Sequence, residues 1–127
     1  MKQRKIKLAN QKPTKKELDD LCREVVKRRS KGKCERCNSQ RYLQWSHFIT
    51  RGNHAVRWDL DNVFWLCSGC HVMRNDSFHK SPPSAVDWVR HRIGEKNYEE
   101  LCLRATGKCG DKWLIKIYLQ QKLKELT

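Results

Sequence analysis

Apolar residues recur at helical spacing at Leu18, Leu21, Cys22, Val25 and Val26, with charged residues between them. This pattern predicts an amphipathic helix over residues 14–32. Thr14-Lys15-Lys16-Glu17 forms a capping box at its start: the Thr14 hydroxyl accepts a free backbone N–H, and Glu17 reaches back to the cap. Gly32 suits its end. Cys22 lies on the apolar stripe and reads as a buried small hydrophobe. Residues 41–49, RYLQWSHFI, are rich in aromatic and branched side chains and read as a strand bent near Ser46. A loop with Gly and Asn follows over residues 50–55, then a short apolar run at 62–66 and a helix starting at or near Cys70. Ser81-Pro82-Pro83 marks another helix start, because Pro is tolerated in the first turn, and Val86, Val89 and Ile93 carry it to Gly94. Residues 97–105 read as a further helix closed by Gly107. Asp111 caps the last one, in which Leu114, Ile115, Tyr118, Leu119 and Leu126 are apolar.

Composition narrows what such a chain can be. At 127 residues it fits one compact domain, and 38% hydrophobic against 33% charged content leaves little apolar material for a core. A metal is a common staple for so lean a domain. No apolar run approaches the ~20 residues that cross a bilayer. The start of the chain is basic without an apolar stretch, so it does not read as a secretory signal, and the expected location is cytoplasmic. Residues 1–13 read as a basic flexible arm, and 14–127 as one domain. The formal charge of +14 favours an anionic partner, of which nucleic acid is the commonest. A membrane surface fits less well, because no segment is strongly basic on one face and strongly apolar on the other.

Four of the seven cysteines form two pairs, Cys34-x-x-Cys37 and Cys67-x-x-Cys70, separated by 29 residues. Each pair sits on a tight turn that grips one side of an ion, so a closed tetrahedral site of structural Zn²⁺ is the leading reading. Thioredoxin-like redox chemistry fits poorly, since no βαβ pattern surrounds either pair.

Between and just after these pairs lie His47, Asn62 fifteen residues on, and His71 directly after the second pair. His47 alone, among aromatics, reads equally as a core histidine. The order of cysteine pair, histidine, asparagine, cysteine pair, histidine over the segments CERC, WSHFITR, RWDLDNVFWLC and SGCHVMRNDSFHK resembles the HNH endonucleases from Cys34 to about Glu100. The continuation SPPSAVDWVRHRIGEKNYEELC is similar to phage and prophage members, including recombination nucleases of the NinG type.

The resemblance implies an α+β fold: a ββα-metal core with its four-cysteine zinc site over residues 34–80, an N-terminal helix over 14–32, and C-terminal helices over 81–127. It implies metal-dependent hydrolysis of DNA, in phage or bacterial DNA processing or recombination. His47 matches the general base, Asn62 the residue that braces the loop and orients the base, and His71 a ligand of a catalytic divalent cation (Mg²⁺, Mn²⁺, Ni²⁺ or Zn²⁺). That cation stabilises the departing 3′ oxygen, giving 5′-phosphate and 3′-hydroxyl products. The chain departs from the family pattern twice. The residue before the base, often an acidic or histidine ligand, is Ser46, a poor one. The second ligand falls at Asn75 by the usual interval, or at His79 if HKSP aligns with His-Lys-Asn-Pro after a four-residue insertion; imidazole is the better transition-metal ligand, which favours His79. Arg51, Arg57, Arg74 and Lys80 are the expected phosphate contacts. Trp45, Trp58 and Trp65 read as core, and His54 and His91 as surface residues. The alternative function is a non-catalytic, zinc-stabilised DNA-binding module. The last helix packs on the domain or joins a homodimer, so the chain is expected as monomer or homodimer.

Overall fold

The computed structural model describes residues 12–127; most of the basic arm, residues 1–11, lies outside them. The elements are α1 (Lys15–Arg29), β1 (Leu43–His47), β2 (Val63–Cys67), a single π-helical turn (Gly69–Met73), α2 (Pro82–Ile93), α3 (Glu95–Arg104) and α4 (Lys112–Glu125). The architecture is α+β, with one antiparallel hairpin in which Trp45 faces Trp65 and His47 faces Val63. No helix among the described residues is long and apolar enough to cross a membrane.

The first helix starts at the capping box, with the Thr14 hydroxyl accepting from Glu17 N at 3.1 Å. Pro13, expected in the arm, is buried, as is Leu18. These are the two positions that a hydrophobic staple joins at a helix entry. Leu18, Cys22, Val25 and Val26 are buried at 0–1% exposure. Each fully buried Val or Leu side chain contributes roughly 1.5–3 kcal/mol of transfer free energy.

The hairpin separates two cores. One gathers the α1 stripe, Trp58, Val63, Trp65 and Leu119, so α1 and α4 cover that face. The other gathers Phe64, Leu66, Phe78, Ala85 and Val89 with Cys34, Cys67 and Cys70. Strand β2 is therefore buried along its whole length, which explains why VFWLC is continuously apolar instead of alternating. Trp58 and Trp65 are core residues, as expected, and Trp45 packs at the edge of the first core. Arg29 ties α1 to this layer, donating to both Glu35 carboxylate oxygens at 2.8 and 3.0 Å and to the Leu60 and Val63 carbonyls at 2.8 Å.

Three elements differ from the sequence expectation. Strand β1 is shorter than residues 41–49. Tyr42 turns into the left-handed region with φ 54°, and the backbone of Ile49 is taken over by the Asn62 side chain. The helix expected near Cys70 is only the π turn. Its end at Arg74 is set by the Arg74 N–H bond to Gly69 O at 2.9 Å. Helix α3 begins at Glu95, earlier than residue 97, because Gly94 with φ 88° breaks α2 and starts the next helix at once. Asp111 caps α4 through Trp113 N and Leu114 N. That helix packs back through Ile115, Leu119 and Leu123, while Leu114, Tyr118 and Leu126 are exposed.

Candidate functional site

Two turns bring the paired cysteines together. In the first, Asn38 N bonds Cys34 O at 2.9 Å with Asn38 at φ 66°, and Arg36 N points at Cys34 Sγ. In the second, Cys70 N points at Cys67 Sγ at 3.4 Å. Backbone N–H groups thus face the sulfurs, as metal-binding thiolates require. All four ligand atoms lie within 4.8 Å of one another, and Cys37 Sγ and Cys67 Sγ are 3.6 Å apart. A tetrahedral zinc with Zn–S bonds of ~2.3 Å has sulfur–sulfur edges of roughly 3.8 Å, so the cluster fits that ion. Burial and the neighbouring Cys34 push the Cys70 thiol up. Burial acts the same way on Cys67, but hydrogen bonds from the Cys70 N–H and the neighbouring cysteines bring that thiol down. The four cysteines could therefore hold a structural metal ion such as zinc. Cys22 is buried in the other core and Cys102 and Cys109 stand apart from this cluster.

Beside this cluster a cavity of about 550 Å³ is lined by Trp45, His47, Phe48, Thr50, Arg51, His71, Phe78 and His79. His47 ends β1, with its ring edge-on to Trp45 at 4.4 Å. Its Nε2 lies 2.8 Å from the carbonyl of Arg57. A carbonyl only accepts, so Nε2 carries the proton and Nδ1 keeps its lone pair. Burial lowers the His47 pKa below the usual histidine range; the Arg57 carbonyl opposes this, and the ring is neutral at pH 7.

His71 lies within the π turn, and His79 reaches it because the chain doubles back. Phe78 N bonds Cys70 O at 3.0 Å and His79 N bonds His71 O at 3.1 Å. The two Nε2 atoms are 3.1 Å apart. His71 Nδ1 donates to Gln44 Oε1 at 2.7 Å, which leaves the Nε2 lone pair directed toward His79. Burial, then the charges of His79 and His47, bring the His71 pKa down to about 4, so its imidazole is neutral at pH 7. Two imidazole nitrogens at this separation can share one ion bonded at ~2.0–2.1 Å to each.

Asn62 is fully buried and fully paired. Its Oδ1 accepts from Ile49 N at 2.6 Å, and its Nδ2 donates to the Ile49 and Val56 carbonyls at 3.0 Å. It closes the loop that separates the two strands, and that loop carries the Arg57 carbonyl.

The other expected residues fall in different places. Asn75 is exposed and does not line the histidine cavity. Ser46 is fully buried on the opposite face of β1 from His47, with its hydroxyl donating to Gln44 O at 3.1 Å, so it does not reach the histidines. Arg51 lines the cavity and is exposed, and Lys80 is exposed next to His79. The guanidinium of Arg57 is held by both oxygens of Asp19 at 3.0 and 2.7 Å. Arg74 lies against the cysteine cluster, 3.9 Å from Cys70 Sγ, and pairs with Asp76. Gln44 and Asp19 are site residues that motif spacing does not reveal. Their contacts span 27 and 38 residues, and each is an ordinary polar side chain in its own segment.

Comparison with protein-family models, with curated proteins and with solved structures found no match to this chain.

Proposed function

We propose that this chain is a divalent-metal-dependent DNA endonuclease of the HNH type, stabilised by a zinc ion at its four cysteines. The observation that carries the reading is the meeting of His71 Nε2 and His79 Nε2 at 3.1 Å in the cavity that also holds His47 with Nε2 protonated. A structural domain has no need of two imidazole Nε2 atoms converging at a surface cavity beside a third, neutral histidine. His71 and His79 would hold the cation, and Gln44 fixes the tautomer that His71 needs for it. When bound, the cation supplies Lewis-acid polarisation of the phosphate and stabilises charge on the leaving 3′ oxygen.

His47 supplies the base. Its Nδ1 lone pair takes a proton from water as the water oxygen bonds phosphorus and the P–O3′ bond breaks. The departing O3′ takes a proton from solvent water and the His47 imidazolium releases its own to solvent, so the products are a 5′-phosphate and a 3′-hydroxyl. The Arg57 carbonyl stabilises the imidazolium that forms, since its oxygen accepts from Nε2–H throughout. Arg51 and Lys80 place the phosphate backbone by charge, and the +14 chain as a whole draws in a polyanion. The context this suits is processing or recombination of phage or bacterial DNA in the cytoplasm.

A metal titration of plasmid nicking tests the ligand assignment. His79→Ala should raise the Mn²⁺ concentration for half-maximal nicking by about tenfold or more, the scale on which metal-site changes act. His71→Ala should do at least as much, with partial rescue by excess metal, whereas Asn75→Ala should leave the midpoint at the parent value. A midpoint that moves for Asn75→Ala and stays for His79→Ala would reverse the assignment.

A further inference from the structure

The group that fixes His47 is itself fixed from outside the hairpin. His47 Nε2 leans on the carbonyl of the peptide joining Arg57 to Trp58, which lies in the loop between the strands. Both side chains flanking that peptide converge on one carboxylate. Arg57 Nε and Nη2 donate to Asp19 Oδ1 and Oδ2 at 3.0 and 2.7 Å, and Trp58 Nε1 donates to Asp19 Oδ1 at 2.7 Å. The contact is sheltered, with Asp19 and Arg57 side chains 17% and 13% exposed and Trp58 at 4%. A forked guanidinium–carboxylate pair adds geometric definition as well as energy. Asp19 is carried by α1, beside the buried Leu18 and one turn before Cys22, so its position is set by the first core.

We infer that Asp19 is a positioning residue for His47: by gripping Arg57 and Trp58 it aims the carbonyl between them at Nε2 and so fixes the tautomer that leaves Nδ1 free. The inference deepens the nuclease reading and, for its effect on activity, rests on it. Burial works to raise the Asp19 pKa, but the hydrogen bonds from Arg57 and Trp58 outweigh it and hold the carboxyl below the usual range. The side chain is thus a carboxylate at neutral pH. Helix α1, outside the hairpin, then contributes to the chemistry through one side chain and one backbone carbonyl.

Asp19→Asn in the full-length, zinc-loaded protein separates this from a purely structural role. The amide keeps the size and one acceptor oxygen but loses the charge and the second acceptor. Two readouts are needed: steady-state plasmid nicking, and ¹⁵N NMR of the histidine rings, which distinguishes Nε2–H from Nδ1–H. The parent should show His47 as the Nε2–H tautomer, and Asp19→Asn a mixture. Turnover should fall by about ten- to a hundredfold with KM and bound zinc unchanged, since small misplacement of a reacting group costs on this order. Trp58→Phe, which removes only one of the three hydrogen bonds, should move both readouts the same way by less. Asp20→Asn, which removes a neighbouring charge paired with Lys16 and Arg23 on the exposed side of α1, should move neither. Parental tautomer in both Asp19→Asn and Trp58→Phe overturns the inference and leaves the nuclease reading standing. If the parent cleaves no DNA, the nuclease reading fails, and the tautomer measurement still decides whether Asp19 positions His47.

Discussion

Replacing His47 with Ala should reduce DNA nicking by roughly 10²–10⁴-fold, the contribution of a positioned general base. Zinc content, secondary structure and DNA affinity should stay at parental levels. His47 is only partly buried at the end of β1, and its loss removes one ring contact to Trp45 and one hydrogen bond to the Arg57 carbonyl, but no ion pair. The acid limb of the parent pH profile gives a second check. The base must be neutral to work, and burial holds the His47 pKa below the ordinary ~6.5. Activity should therefore rise with pH through a midpoint below that value and be flat by pH 7. An acid limb centred well above 7 would show that His47 is not the titrating base.

Loss of zinc should cost the whole fold. Apparent binding free energies of structural zinc sites are about 10–16 kcal/mol, comparable to or larger than the ~5–15 kcal/mol net stability of a domain. Here the cluster is also part of the hydrophobic interior. Cys34, Cys67 and Cys70 are at most 8% exposed and pack with Phe64, Leu66 and Phe78. One zinc per chain should survive extensive dialysis. Chelation in mild denaturant should abolish the helical circular dichroism signal, and Cys67→Ser should give largely insoluble protein. Cys22→Ser, in the other core, should lose stability but keep its zinc. Elemental analysis showing folded protein without zinc or an equivalent ion would contradict the structural role.

The parts of the fold legible in the sequence are those encoded within a few residues. Thr14 and Glu17 announce the first helix, Leu18, Cys22, Val25 and Val26 give its buried face, and Ser81-Pro82-Pro83 starts α2. The cysteine pairs are legible for the same reason, since each grips through a four-residue turn. The extent of β1 is not, because Asn62, thirteen residues away, supplies the hydrogen bonds that a longer strand would have made at Ile49. The turn after Cys70 reads as a longer helix in the sequence, whereas hydrogen bonds of residues 78 and 79 back to 70 and 71 fold that segment onto itself. The same bonds favour His79 over Asn75, a choice that interval counting leaves open. The pairing of Arg57 with Asp19 is not legible either, because Asp19 belongs to a helix 38 residues away.

The most direct measurement is cleavage by the parent protein, stripped of loosely held metal and supplied in turn with Mg²⁺, Mn²⁺, Ni²⁺ and Zn²⁺. Supercoiled, linear and branched DNA serve as substrates, and the ends are mapped. The expected result is nicking that needs an added divalent ion, leaves 5′-phosphate and 3′-hydroxyl ends, and disappears in His47→Ala while zinc stays bound. No cleavage of any DNA form with any of the four ions would contradict the account and leave a zinc-stabilised DNA-binding module in its place.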